Sequence, residues 1–267
     1  MSGKPIKAPN PGPTQALERG LAILKEIRSA EIPLTAPQIS QRCNIPTATV
    51  IRLTATLISK GFLHCEAGPN IFSLGPQSHG LGRSFVSNLS ICNVAWPTMQ
   101  NLAQQYGVSV SLGVAVDHRM IYLQSCLDNE LAPFHRDVGA QVHIVKTAMG
   151  RAYLWALPTR TRNSLLQTIQ SQYAEDQEVI KEDSARMFAE LDDVGFCSDF
   201  GLWRQGVLAV ATPIILPGSE EILAIHAGGT RGRITADSLM KKIGPDLVTA
   251  AQQITQRMEQ ANISFWN

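Results

Sequence analysis

The chain has 267 residues, 44% of them hydrophobic and 17% charged, which fits two globular domains with a core in each. No apolar run approaches the ~20 residues of a membrane span, and no signal-peptide apolar segment is present, so the expected setting is cytoplasmic, with no membrane partner. Five cysteines, odd in number and without C-x-x-C spacing, speak against a disulfide framework or a structural zinc site.

Residues 1–13, MSGKPIKAPNPGP, hold four prolines and no periodicity and read as a disordered arm. Leu17, Leu21, Leu24 and Ile27 then share one face of a first helix. Thr35 with Gln38 fits a capping box, and Pro37 sits in the first turn, where a missing N–H is tolerated. Asn44-Ile45-Pro46 breaks the pattern, because the residue before a proline is pushed out of helical geometry. Thr47 is the expected N-cap of the next helix, whose Val50, Leu53, Leu57 and Ile58 form an apolar stripe. Gly61 follows as a C′ glycine. The stretch 35–60 is therefore a helix-turn-helix.

Phe62-Leu63-His64 and Ile71-Phe72-Ser73-Leu74 bracket the turn-rich Ala67-Gly68-Pro69-Asn70, a β-hairpin. Three helices and a hairpin over residues 14–76 make a winged helix-turn-helix. Two helices joined by a turn occur in many folds, but here the charge is divided. Residues 1–83 carry nine Lys/Arg against four Asp/Glu (+5), and residues 84–267 carry fourteen against eighteen (−4), which together give the net +1. A basic front half suits phosphate contact, and the acidic remainder excludes general nucleic-acid binding there. In such a motif the start of the second helix meets base edges, which singles out Thr47, Ala48, Thr49 and Arg52.

Residues 77–94 place Leu81, Phe85, Leu89 and Cys92 at helical spacing and read as a linker helix. A domain of about 95–262 follows. A helix ends at Gly107, and Val108 to Val116 alternates as a half-buried strand. Asp117-His118-Arg119 turns into a partner strand over Met120–Ser125. Helices are expected at about 147–157, 159–172 and 182–194, strands at about 206–215 and 221–228, and a last helix at 235–261. Antiparallel strands with helices give an α+β domain with one sheet face covered.

No G-x-S-x-G, H-E-x-x-H, Walker or dinucleotide pattern occurs, and His135, His143 and His226 are too dispersed for a metal site. Gly228-Gly229-Thr230-Arg231-Gly232 reads as a plain turn. No enzyme activity, cofactor or metal is implied.

L-E-R-G-L-A-I-L at 17–24, P-L-T-A-P-Q-I-S at 33–40, I-P-T-A-T-V-I-R-L at 45–53 and F-S-L-G ending at Gly75 resemble the DNA-binding domain of the IclR family of bacterial transcriptional regulators. The back half agrees through Thr147–Ala152 (TAMGRA), Asp193–Phe196 (DVGF) and Gly206–Ile214 (GVLAVATPI), so the resemblance spans about residues 14–260. It implies a GAF/PAS-like effector-binding domain, operator DNA as partner, and a homodimer or a dimer of dimers. Arg52 matches a family arginine, and Arg19 becomes a phosphate-contact candidate. An effector would lie against Ala148 and Met149 at a helix start, Asp199, Val207 with Ala209, and His226 with Gly228. Members that bind small hydroxy or keto acids commonly carry Cys where this chain has Ala209, and Ser at the places of His226 and Gly228. That departure points to another small organic acid, aromatic or short-chain. A helix start suits a carboxylate, and His226 suits a carboxylate or phenol, or else is a satisfied core histidine. The alternative reading is a winged-helix module that binds a protein, or an enzyme with a small-molecule site in the back half.

Overall fold

The structure is a computed structural model and describes residues 12–30, 32–66, 68, 70–127, 138–172, 177–263 and 265. Residues 1–11 of the expected arm, Ala67 and Pro69 of the expected hairpin tip, and His135 lie outside the described residues. The chain divides into two compact units, Met1–Ser84 and Phe85–Asn267.

The first unit contains α1 (Gln15–Ser29), β1 (Leu34–Thr35), α2 (Ala36–Cys43), α3 (Thr47–Ser59), β2 (Leu63–Glu66) and β3 (Ile71–Leu74), with α4 (Pro76–Ser87) running out of it. Ile23, Ile27, Leu34, Ile39, Ile45, Val50, Leu63 and Phe72 form its core. Gln38 Oε1 accepts from both the backbone N–H and the hydroxyl of Thr35, each at 2.8 Å, which fixes the start of α2. Asn44 ends α2 in the left-handed region at φ 52°, a conformation asparagine tolerates. Gly61 does the same after α3 at φ 75°. The wing has three strands in the order β1-β3-β2, so the pair Leu34–Thr35 adds a strand beyond the expected hairpin. Thr47 is the first residue of α3 rather than its N-cap, a place taken by Pro46. Its hydroxyl instead donates to Ser40 Oγ at 3.0 Å and ties α3 to α2.

The stretch 77–94 is not one helix. The chain turns at Asn88 and Leu89, between α4 and α5 (Ser90–Tyr106), where Leu89 is buried in the second unit. That unit continues with β4 (Ser109–Val116), β5 (Arg119–Cys126), β6 (Gln141–His143), α6 (Ala148–Ala156), α7 (Thr159–Gln172), α8 (Gln177–Val194), β7 (Cys197–Asp199), β8 (Val207–Ile215), β9 (Ile222–Thr230), α9 (Ala236–Ser238) and α10 (Gly244–Gln260). Its six strands form an antiparallel sheet ordered β6-β5-β4-β9-β8-β7. Gly228, Gly229 and Thr230 belong to β9, so the expected glycine-rich turn begins only at Arg231.

Both faces of this sheet are covered, not one. Along β9, Leu223, Ile225 and Ala227 join the core under α5 and α10, while the alternating Ala224 joins a second core under α6. Residues Val110 to Val114 of β4 are accordingly buried without a break. The last helix is interrupted as well. Pro245 has no N–H to give, and a π-helical turn over Leu239–Ile243 separates α9 from α10. Among the described residues no helix is long and apolar enough to cross a membrane.

Candidate functional site

α3 rests on its unit's core through Val50 and Thr54 and leaves Thr47, Ala48, Ile51, Arg52 and Ala55 exposed. Thr49 is half-buried, and its N–H bonds to Pro46 O at 2.8 Å in the first turn. Thr47, Ala48 and Arg52 therefore share the accessible edge, and Thr49 stands at its margin. Arg19 lies on a different helix, α1, and is half-buried. Arg42 is held by Glu26 at 3.0 Å, which offsets its charge. Sequence reasoning missed Ile51, although it is 55% exposed on the same edge. Its place beside Arg52, off the apolar stripe, was the available signal.

In the second unit, the crossing before α6 is tight. A Cβ on Gly150 would stand 2.0 Å from Ile144 O, so only glycine lets the preceding segment pass under the helix start. Thr147 caps α6, accepting from Gly150 N–H at 3.2 Å and donating to His143 O at 2.9 Å. The fully buried Arg151 donates from Nε to Val145 O at 2.6 Å and clamps the same turn. The N–H groups of Ala148 and Met149 precede the first intrahelical bond. Met149 crosses the sheet over Gly113, where a Cβ would lie 2.6 Å from its sulfur.

Against this helix start lies a cavity of about 60 Å³. It has room on the order of four water molecules. Ala148, Met149, Asp199, Val207, Ala209, His226 and Gly228 all line it, so the seven positions implied by the family resemblance converge. Seven further lining residues went unforeseen: Ser109, Ser111, Tyr122, Thr147, Trp203, Gly229 and Thr230. Ser111 stands opposite His226 in the β4–β9 register, so strand pairing was the missing signal.

Asp199 is occupied by the protein. Its Oδ1 accepts from Gly201 N–H at 3.0 Å and Leu202 N–H at 2.8 Å, and its Oδ2 from Trp203 N–H at 3.3 Å. Burial raises its carboxyl pKa, opposed by those three N–H groups and by Arg151. It anchors the 200–206 loop, which brings Trp203 over the cavity. His226 is the opposite case. Its Nε2 is inaccessible to water and has no hydrogen-bond partner, so it is not a satisfied core histidine. Burial pushes its pKa down to about 4, leaving the ring neutral at physiological pH. The ring stacks on Tyr122 with centroids 5.5 Å apart and planes 12° apart. His226 is half-buried and lines the cavity. Among the described residues no group of His, Cys, Asp and Glu could hold a metal ion.

Residues 83–256 match the family described as "Bacterial transcriptional regulator IclR C-terminal", and residues 16–66 match the "IclR helix-turn-helix domain". The HTH-type transcriptional regulator TsaQ1/TsaQ2 of Comamonas testosteroni is 26% identical over 252 residues, covering 94% of this chain and 90% of that protein. A solved IclR family transcriptional regulator from Brucella abortus has a TM-score of 0.84 at 29% identity, over 91% of this chain and 92% of that one. An IclR homolog from Microbacterium hydrocarbonoxydans, complexed with 4-hydroxybenzoate, shares the fold with a TM-score of 0.67 at 17% identity, over 91% of this chain and 100% of that one.

Proposed function

The chain belongs to the IclR family, whose members are DNA-binding transcriptional regulators and not enzymes, and on that premise we propose that a small organic acid in the α6 cavity controls its affinity for operator DNA. The observation that carries this reading is that His226, whose buried Nε2 has no hydrogen-bond partner, lines one cavity together with Ala148 and Met149 of a helix start. A buried polar atom without a partner costs about 1–3 kcal/mol, and a ligand that supplies one relieves that cost. The helix N-terminus favours a carboxylate, and the largely apolar walls favour a compact aromatic or short-chain body. The 4-hydroxybenzoate complex of the Microbacterium homolog supports an aromatic acid as the first class to try. Ala148, Met149, Val207, Ala209, His226 and Gly228 form the contact set, and Asp199 acts through the loop it anchors.

In the first unit, Thr47, Ala48, Thr49 and Arg52 meet the major groove and Arg19 a phosphate. Two copies in a homodimer, or four as a dimer of dimers, then read paired half-sites. The test uses the full chain. Benzoates, hydroxybenzoates and short-chain carboxylates are screened by thermal shift, and any hit is titrated into a gel-shift with DNA from the promoter beside the gene. A stabilising acid that also changes DNA affinity, with both effects lost in His226→Ala, is the expected result. A screen in which no acid stabilises the protein, or a hit indifferent to His226→Ala, overturns the assignment.

A further inference from the structure

We infer that α3 reads its operator mainly through thymine methyl groups, with Ile51 as the principal reader and Arg52 as the one strong hydrogen-bonding contact. The inference rests on the reading above that α3 enters the major groove. It starts from the hydroxyls of the helix, nearly all of which already donate a hydrogen bond within the protein. Thr47 donates to Ser40 Oγ at 3.0 Å, Thr54 to Val50 O at 2.9 Å, Thr56 to Arg52 O at 3.2 Å and Ser59 to Thr56 O at 2.8 Å. A hydroxyl has one proton, so each of these four must first give up a bond within the protein to donate to the acceptors that purines show in the groove. Thr49 is half-buried.

What α3 presents instead is apolar. Ala48, Ile51, Ala55 and Ile58 lie three, four and three residues apart, which places them on one side of the helix. All four are exposed, Ile51 to 55% and Ile58 to 37%. The C5-methyl of thymine is the apolar feature that base pairs display in the major groove, and aliphatic side chains are its complement. The charge pattern agrees with DNA as the occupant. α3 contains no acidic residue to repel phosphate, and Arg52 stands next to Ile51 on the exposed edge. The preferred half-site is therefore thymine-rich where Ile51 and Ala48 reach, with a guanine for Arg52 beside it.

Deoxyuridine tests this directly, since it differs from thymidine only by the missing methyl. The full chain is first used to select binding sites from a randomised duplex pool. Thymines of the selected half-site are then replaced one at a time by deoxyuridine, and affinities are measured for the wild type, Ile51→Ala and Ile51→Val. Burial of one methyl is worth about fourfold in affinity. The expected result is a loss of about that size at one or two thymines with the wild type, retained in Ile51→Val and absent in Ile51→Ala. Equal methyl sensitivity in wild type and Ile51→Ala, or none in the wild type, overturns the inference while leaving operator binding intact. A change of oligomeric state in Ile51→Ala without a change in DNA preference also overturns it. If no sequence is enriched at all, the DNA-reading assignment of α3 falls first and takes the inference with it. Alanine raises helix propensity at this exposed position, so loss of folding does not confound the comparison.

Discussion

His226→Phe removes the titrating nitrogens of the cavity histidine and keeps a planar ring against Tyr122. In the unfolded chain this imidazole takes up a proton as the pH falls through its ordinary 6.5, whereas in the fold it stays neutral until about 4. Between those values the unfolded state binds more protons, so the wild type loses stability as the solution is acidified. At pH 5 the difference between a pKa of 6.5 and one of about 4 amounts to about 2 kcal/mol, nearly all of it lost below pH 7. The Phe variant has no such proton to gain. It is also at least as stable as the wild type at pH 7, because no buried nitrogen is left unpartnered.

The chain suits this measurement. All four tryptophans of the chain follow residue 84, and Trp96, Trp155 and Trp203 lie in the second unit, so fluorescence reports its unfolding without the first. Urea unfolding at pH 7 and pH 5 should show the wild type losing about 2 kcal/mol more than His226→Phe over that interval. Other groups titrate too, His118 among them, but they are common to both proteins and cancel in the difference. Parallel loss of stability in the two proteins would refute the claim that His226 is held neutral by burial.

Three further outcomes follow from the geometry. Gly150→Ala puts a methyl 2.0 Å from Ile144 O and should destabilise the second unit by about 3 kcal/mol or more, read as a lower urea midpoint of tryptophan fluorescence. Asp199→Asn keeps one acceptor but loses the charge that draws three loop N–H groups, and should weaken the loop by about 1–3 kcal/mol. Hydrogen exchange at Gly201, Leu202 and Trp203 should accelerate while the core of β8 and β9 stays protected. Arg52→Ala should abolish specific retention of operator DNA in a gel-shift and leave the tryptophan unfolding transition unchanged, because Arg52 is exposed in the other unit.

Local rules made the first unit readable. Asn-Ile-Pro announces a stop, and Asn44 adopts φ 52° there; Gly61 and Gly107 close their helices in the same left-handed region. The cavity was legible only through family motifs, since nothing in the spacing of Ala148, Asp199 and His226 brings them together. What stayed hidden depends on partners distant in sequence. Ser109, Ser111 and Gly113 alternate with valine and leucine as solvent-facing positions would. α6 covers that face, and the hydroxyls of Ser111 and Ser125 meet at 2.5 Å. The orphaned nitrogen of His226 is hidden for the same reason, because a missing partner is a property of the assembled site. Asp199 could be picked out from the chain, but not that its carboxylate is spent on the loop after it.

The neutral histidine also bears on how a ligand could act at a distance. A ligand shifts DNA affinity only by the difference in its own affinity for the two states of the protein, and such couplings amount to about 1–3 kcal/mol. An unsatisfied buried nitrogen carries a cost of the same size. On the proposed reading, an acid that gives His226 Nε2 its partner releases enough free energy to supply the whole coupling. It does so only if the protein's two states differ in how they present that nitrogen. His226→Phe then separates stability from regulation, for it should yield a more robust second unit whose DNA affinity no longer responds to the acid. A variant that is stabilised yet still fully responsive would place the coupling elsewhere, at the α6 N-terminus or in the Asp199 loop.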